Sequence, residues 1–424
     1  MKVLLISHNP ISTFNNMGKT FLNMFCSFTR DELCQLYVRP TIPDVKMCSS
    51  YYQITDKQAL KSLFFAKPGG EVSEKQIEQI MAEREKGELP APPPPVGTKA
   101  LLLLIRDIVW KLSRWYSKDL RLWIKRENPT CIFLAPGYSA FIYNIALRIA
   151  EDYNLPIITY ICDDYYFVKK PQSLIGKWQF SMLCKSTERI MNRTSQLVVI
   201  SEEIKDIYHK EFNVPAEVLM TGAGVRAVDK PTDQSVSKIS YFGNLSDGRH
   251  KSLAEIGQAL DTINSSHGTE IALNVYSNET FSDILHVFSS IKSVRLCGFV
   301  SGKVFEEAFE SSDILIHTES FDEMHIDRVK HSVSTKIADS LASGIPLFAY
   351  GPDSISSMKH LLRNDCAFVA VSREQLVDKL TTAVFDKENY SAVSSRAVEV
   401  AAQFHDNKAN SSKLRSVIAD IAGE

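Results

Sequence analysis

Lys336 and Asp339 lie in the segment Ser332-Val-Ser-Thr-Lys-Ile-Ala-Asp-Ser-Leu-Ala-Ser-Gly-Ile-Pro-Leu-Phe-Ala-Tyr-Gly-Pro352. A cation and a carboxylate at this i, i+3 spacing share one side of a helix. Ser334 or Thr335 can start that helix, because a side-chain oxygen satisfies the orphan amides of the first turn. Gly344 favours the positive φ that ends it, and Pro346–Tyr350 then reads as a short buried strand. A helix start attracts anions through its free N–H groups and its dipole. With a lysine there and a carboxylate one turn on, the chemistry that fits is a diphosphate on a ribose. The cation meets the phosphates, and the carboxylate accepts hydrogen bonds from sugar hydroxyls. A second basic loop, Gly243-Asn244-Leu-Ser-Asp-Gly248-Arg249-His-Lys251-Ser252, follows the strand-like Lys238–Phe242 and precedes an amphipathic helix over Leu253–Ile263. It adds Arg249 and Lys251 as further candidates for phosphate.

These residues need a scaffold, and the chain reads as two α/β halves. In the first, strands are expected at Lys2–Ser7, Cys131–Ala135, Ile157–Cys162 and Leu197–Ile200. Ser201 caps a helix running to Tyr208, and Val218 opens a further strand. In the second, Lys238–Phe242, Ile271–Tyr276, Val294–Leu296 and Asp313–His317 alternate with helical patterns. Such alternation implies parallel sheets with ligands at the strand C-termini. A chain of 424 residues is too long for one core and predicts two domains. Gly18-Lys19-Thr20 imitates the tail of a phosphate-binding P-loop, but Thr13 stands where its first glycine is required. Gly222-Ala-Gly224 imitates a dinucleotide fingerprint, but Pro231 follows where a helix should continue.

The Ser334–Pro346 pattern resembles the donor motif of GT-B glycosyltransferases, especially the family-4-like enzymes of bacterial polysaccharide synthesis. That motif runs roughly Ser-x-Lys-hydrophobic-x-Glu-x-x-Ala-x-Gly-x-Pro. Asp339 here replaces the usual glutamate, and His331 stands eight residues earlier, where many members carry a second one. The resemblance implies two Rossmann-like domains whose parallel sheets face across a cleft, with a C-terminal helix crossing back. The implied domains are residues 1–225 on the acceptor side, 226–402 on the donor side, and 403–424 as the helix packing toward the first. It implies that Gly243, Asn244, Arg249, Lys251, Ser334, Thr335 and Lys336 bind the donor phosphates, that Asp339 binds ribose, and that Asp322 and Glu323 contact the donor sugar. Glu319 at the next strand end, with Asp163 and Asp164 in the first half, are the candidate catalytic carboxylates. Asn16, Gly18 and Lys19 form an acceptor-side loop. No metal or cofactor is expected: cations and helix dipoles stabilise the departing phosphate instead. The activity implied is sugar transfer from a nucleotide sugar carrying UDP or GDP to a glycan or lipid-linked acceptor in cell-surface polysaccharide synthesis. Two other readings remain open: a sugar-nucleotide epimerase on the same fold, and a catalytically degenerate partner subunit.

Composition agrees with a globular, cytoplasmic protein. Hydrophobic residues make up 44% and charged residues 23%, and no apolar run reaches the roughly 20 residues of a spanning helix. The eight cysteines are scattered, with no Cys-x-x-Cys pair, so neither a disulfide frame nor a zinc site is expected. Nothing points to nucleic acid. Net charge is −2 overall, yet residues 1–220 carry 28 Lys and Arg against 23 Asp and Glu, and the remainder 20 against 27. Much of the positive excess lies in Lys99–Arg126, which also holds three of the four tryptophans. Leu101, Leu104, Ile105, Ile108 and Leu112 recur there at helical spacing. A basic amphipathic helix with tryptophans suits an anionic membrane surface, with Trp110, Arg114 and Trp115 as the expected contacts on the inner face of the cell membrane. The preceding polar helix Glu71–Glu88 and the Pro90–Pro95 run suggest a helical insertion over 65–118.

Overall fold

The structure is a computed structural model and describes residues 1–85, 99–225, 227–228 and 235–423. The Pro90–Pro95 run, residues 86–88 and most of the expected linker at Arg226–Ser237 lie outside the described residues.

The chain forms two compact units. One is Met1–Thr221 with Asn407–Glu424, the other Gly222–Asp406. Among the described residues, the first holds strands β1 (Val3–Ser7), β2 (Leu33–Tyr37), β3 (Ser50–Gln53), β4 (Gly70–Glu71), β5 (Cys131–Ala135), β6 (Ile157–Ile161), β7 (Thr194–Val199) and β8 (Ala216–Val218), in spatial order β4-β3-β2-β1-β5-β6-β7-β8. All pairings are parallel except β3 with β4. Parallel neighbours need crossover connections, and helices such as Ala140–Tyr153 between β5 and β6 supply them. That helix buries Phe141, Ile142, Ile145, Ala146 and Ile149 and stops at Asn154, whose φ of 50° is the left-handed cap. The closing helix Asn407–Ala422 belongs to this unit. Ser27 donates its N–H to Ser411 Oγ at 2.9 Å, and Arg415 pairs with Glu32.

The strand β2 is one the sequence patterns did not announce, because Gln35 interrupts its apolar run. In the fold Gln35 is fully buried but satisfied. Its carbonyl accepts the Ile11 N–H at 3.0 Å and its amide donates to Ser7 Oγ at 2.9 Å. The expected insertion over 65–118 is not wholly helical: β4 is an antiparallel edge strand, followed by helices Glu74–Glu85 and Ala100–Leu112.

The second unit is an all-parallel sheet of β9 (Lys238–Phe242), β10 (Ala272–Tyr276), β11 (Val294–Leu296), β12 (Ile314–Thr318), β13 (Leu347–Tyr350) and β14 (Phe368–Ala370), in order β11-β10-β9-β12-β13-β14. Both faces are covered, as parallel sheets require. One core joins Ile239, Leu253, Ile256, Leu273 and Phe348. The other joins Leu315, Ile337, Leu341, Leu347, Ala397 and Val400. Ile337 and Leu341 anchor helix Thr335–Ser343 to the second core. The helix ends at Gly344 with φ 71°, where a side chain would be strained. The order β9-β12 places a topological switch at the centre of this sheet, where ligands of open α/β sheets bind.

Candidate functional site

At the C-terminal ends of β9 and β12 the second unit gathers Gly243, Asn244, Arg249, Glu319 and Lys336, five residues the sequence patterns singled out. The loop after β9 turns sharply through Asp247 (φ 55°) and Gly248 (φ 76°). This turn makes Arg249 the first residue of helix Arg249–His267. Glycine is needed at 248 on two counts: its φ, and Ser320 Oγ, which a β-carbon would strike. Arg249 donates Nε and Nη2 to Glu319 Oε2 at 3.1 and 2.9 Å, and Nη1 to Asn244 Oδ1 at 3.0 Å. Its fork is thereby held flat by two partners.

Lys336 enters from the helix that starts beside β12. The ammonium sits close against Gly243, in space that a β-carbon there would occupy. The ammonium also lies 5.6 Å over the Tyr241 ring, whose hydroxyl donates to the Asn244 carbonyl at 2.6 Å. Although the residue as a whole is exposed at the helix start, the charged tip is enclosed. Burial, and then the Arg249 charge, push its pKa down to about 8. Glu319 is 3% exposed. Burial pushes its carboxyl up, while Arg249 and Lys336 pull it down. His317 Nε2 lies 3.6 Å from Glu319 Oε1, and burial together with the two cations lowers its pKa to about 3. His317 is therefore neutral. The group is Arg249 and Lys336 around the buried Glu319, with Asn244 alongside; Asp247 borders it, 3.7 Å from Arg249 and 2.7 Å from Arg328, so three cations face two carboxylates. Phosphate oxygens fit such a site.

The other expected donor residues make contacts of their own. Lys251, expected on phosphate, pairs with Asp322, expected on sugar, at 2.8 Å on the exposed surface. Glu323 is exposed in the first turn of helix Glu323–Val329. Ser334 is the N-cap of helix Thr335–Ser343, but its side chain makes no capping bond, and its N–H donates to Ser357 Oγ at 3.1 Å. Thr335 is exposed. Asp339 Oδ1 accepts the Gly224 N–H at 2.7 Å, so this carboxylate orders the chain entering the unit. Tyr241, His317 and Asp247 were not singled out. Tyr241 and His317 sit inside apolar strand patterns that read as core, and the role of Asp247 follows only from its ion pairs with Arg249 and Arg328.

In the first unit, Asp164 is buried and its Oδ1 accepts from the Tyr166 and Phe167 N–H groups and the Tyr208 hydroxyl, at 2.9, 3.0 and 3.1 Å. It organises the loop after β6. Asp163, the exposed member of the pair, accepts from the Tyr165 hydroxyl at 3.1 Å. Gly18 donates its N–H to Asn15 Oδ1, capping helix Asn16–Met24, and its Cα packs against Ser12 where no β-carbon fits. Lys19 is exposed. The side chain of Asn16 lies outside the described residues. Among the described residues no cluster of three or more His, Cys, Asp or Glu is disposed to hold a metal ion, and no helix is long and apolar enough to cross a membrane.

The expectation for Trp110 is corrected. It is 1% exposed, stacked on Phe141 with centroids 4.3 Å apart, and its indole N–H donates to Asp56 at 2.7 Å. It is a core residue, because helix Ala100–Leu112 turns its tryptophan inward and leaves Leu101, Leu102, Ile105 and Leu112 outward. Trp115 is half-buried beside Tyr116. Arg114 is exposed, with its guanidinium 3.8 Å over the Phe65 ring.

Two Rossmann-like parallel-sheet units with a closing helix returned to the first define the GT-B fold, and solved structures along the whole chain agree. No protein-family model matches the sequence, and no curated protein matches it by sequence. TarM aligns over 100% of this chain and 99% of its own, with a TM-score of 0.63 and 10% identity. Sucrose-phosphate synthase from Thermosynechococcus elongatus aligns over 99% of each chain, at 0.61 and 10%. HepE of Anabaena, solved in complex with UDP and glucose, aligns over 99% of each chain, at 0.60 and 11%. The chain therefore has the GT-B glycosyltransferase fold.

Proposed function

We propose that the chain is a glycosyltransferase that moves a sugar from a nucleoside-diphosphate donor to a glycan or lipid-linked acceptor. The observation that carries this reading is the convergence of Arg249 and Lys336 on the buried Glu319 at a topological switch point. HepE, of the same fold, is solved with UDP and with UDP-glucose, and uridine is the first base to test. In the reaction the bond from the anomeric carbon to the β-phosphate oxygen breaks and a bond to the acceptor hydroxyl oxygen forms. The hydroxyl proton leaves to a base, and the nucleoside diphosphate departs. Negative charge grows on the departing phosphate, and Lys336 and Arg249 meet it from fixed positions, the most effective form of transition-state stabilisation. Asp163 is the exposed carboxylate that supports the base role.

Thermal stabilisation by a panel of nucleoside diphosphates and nucleotide sugars tests the donor site. Wild type is expected to shift with one base, and Lys336→Ala to lose the shift while keeping its unliganded Tm. If no nucleotide shifts the wild type, the reading fails.

We also propose that the protein works in the cytoplasm, peripherally on an anionic membrane. Phe64 and Phe65 (each 79% exposed), Leu174 (84%) and Trp178 (60%) join the outward leucines of helix Ala100–Leu112. Helix Ala100–Leu112 packs on both Asp56–Ser62, which Phe64 and Phe65 follow, and Leu174–Met191, which carries Leu174 and Trp178. Lys57, Lys61, Lys111 and Lys177 are exposed on the same helices. Apolar side chains bordered by lysines match an anionic bilayer. Flotation with phosphatidylglycerol vesicles is expected for wild type and lost in Phe64→Ser/Phe65→Ser.

A further inference from the structure

The strand C-termini of the first unit hold a second cationic group, built from His8, Arg39 and Arg106. His8 follows β1, and its carbonyl accepts the N–H of Arg39, just past β2, at 2.9 Å. The His8 ring meets Phe141 edge-on at 5.6 Å. The Arg106 guanidinium lies 4.7 Å over the same Phe141 ring. One aromatic ring therefore seats Arg106 and His8 together, and the backbone ties Arg39 to them.

Two acids lie nearby, Asp56 and Asp107. Asp56 Oδ1 accepts both Arg106 Nε at 2.8 Å and the Trp110 indole N–H at 2.7 Å. Asp107 Oδ1 accepts the Phe141 N–H at 3.0 Å, at the start of helix Ala140–Tyr153, while its Oδ2 is buried with no hydrogen-bond partner among the described residues. Arg106 Nη1 reaches Ser139 Oγ at 3.3 Å, but its Nη2 is buried and has no acceptor among the described residues. The Arg39 guanidinium makes no side-chain hydrogen bond or ion pair among the described residues. The two arginines disfavour each other's company: burial and then the Arg106 charge lower the pKa of Arg39. Burial and both arginines lower that of His8 to about 3, so His8 is a neutral imidazole with one N–H to give. Asp56 is the ion-pair partner of Arg106, and what is left over is one buried Arg106 N–H fork arm and the Arg39 guanidinium, donors with no acceptor among the described residues.

Beside them lies an aromatic pair. Gly137, whose β-carbon would touch the His8 ring, leads into Tyr138, and Tyr138 packs against Tyr165 with centroids 4.1 Å apart. Tyr165 donates to Asp163.

We propose that Arg39 and Arg106 bind a phosphate group carried by the acceptor, with the Tyr138–Tyr165 pair receiving its sugar ring. Planar guanidinium forks suit phosphate, which accepts paired N–H donors. A phosphomonoester sugar and a phosphate-bearing lipid headgroup share this chemistry. The inference rests on the acceptor side of the glycosyltransferase reading.

The test is calorimetric titration of the full-length protein with inorganic pyrophosphate, with glucose 6-phosphate, and with phosphatidic acid in phosphatidylcholine vesicles. Wild type, Arg39→Gln and Lys336→Ala are compared, and urea unfolding confirms that each variant folds. Wild type is expected to bind pyrophosphate at two classes of site. Lys336→Ala should lose one class, and Arg39→Gln should weaken the other at least tenfold. Arg39-dependent binding of glucose 6-phosphate identifies a soluble phosphosugar acceptor, and Arg39-dependent binding of the vesicles identifies a lipid headgroup. If wild type binds no probe, or Arg39→Gln binds every probe as wild type does, the inference is overturned. A donor reading that fails leaves a different trace: Lys336→Ala then binds pyrophosphate as wild type does while Arg39→Gln still loses its class.

Discussion

The two units carry cations at corresponding places, the C-terminal ends of parallel strands, but balance them differently. In the second unit Arg249 is clamped by the buried Glu319 and by Asn244, and Lys336 adds one uncancelled charge. In the first unit Arg39 and Arg106 sit against a neutral His8, and the one acid on Arg106, Asp56, also serves Trp110. The first arrangement is preorganised, with its fork geometry set before any ligand arrives. The second is incomplete, and an incoming anion would relieve its repulsion. A site for a shared, fixed group such as a diphosphate can be built in advance. A site whose charge is left open discriminates by what the ligand brings.

Mutations that alter charge balance separate the two most sharply. Arg249→Met should leave Glu319 buried without its partner and cost about 3–5 kcal/mol in urea unfolding, whereas Arg39→Met should change stability little, since the repulsion from Arg106 that it removes is partly offset by the attraction to Asp56 that it also removes. Equal losses would erase the distinction. Next in size, Lys336→Ala should lower kcat/KM for a nucleotide sugar by about 10²–10³, the scale of one lost transition-state donor, with little change in Tm.

A pH series sharpens the contrast without mutation. The Lys336 pKa is pushed from an ordinary 10.5 to about 8. Nucleoside-diphosphate affinity should therefore fall above about pH 8, as the ammonium loses its proton. The sign for stability is opposite. Between about 8 and 10.5 the unfolded chain binds the extra proton, so the stability cost of the enclosed ammonium, full below about pH 8, is relieved as pH rises through that window. Lys336→Arg should flatten the affinity curve. The smallest effect belongs to the exposed Lys251–Asp322 pair. Lys251→Ala should cost less than about 1 kcal/mol and change donor affinity far less than Lys336→Ala.

How far the residues spoke for themselves differs between the same two regions. In the second unit the donor-side pattern was legible because its signals are local: a glycine turn, a helix start with Lys336, and a glycine cap at 344. Arg249, Lys336 and Glu319 were each named from their own neighbourhoods. That Glu319 clamps Arg249 rather than standing free was not legible, since 70 residues separate them. In the first unit His8 and Arg39 went unremarked because each sits in a loop with no motif of its own, and Arg106 was read only as part of the basic Lys99–Arg126 stretch. Trp110 misled for the opposite reason. Its helical period announced an apolar stripe but not which side of it would be buried.

The sequence by itself determined the alternation of strands and helices, the two α/β halves, and the residues whose backbone geometry is locally dictated, such as Gly248 and Gly344. These follow from steric and hydrogen-bonding preferences within a few residues. The tertiary structure alone decided which charges meet. Asp339 went to the Gly224 amide, Asp164 to its own loop, Lys251 to Asp322, and Trp110 to the core beneath Arg106. Those pairings depend on strand order and on the burial of side chains far apart in the chain. An electrostatic partner is chosen by distance and desolvation in space, and neither is written in the spacing of residues along the chain.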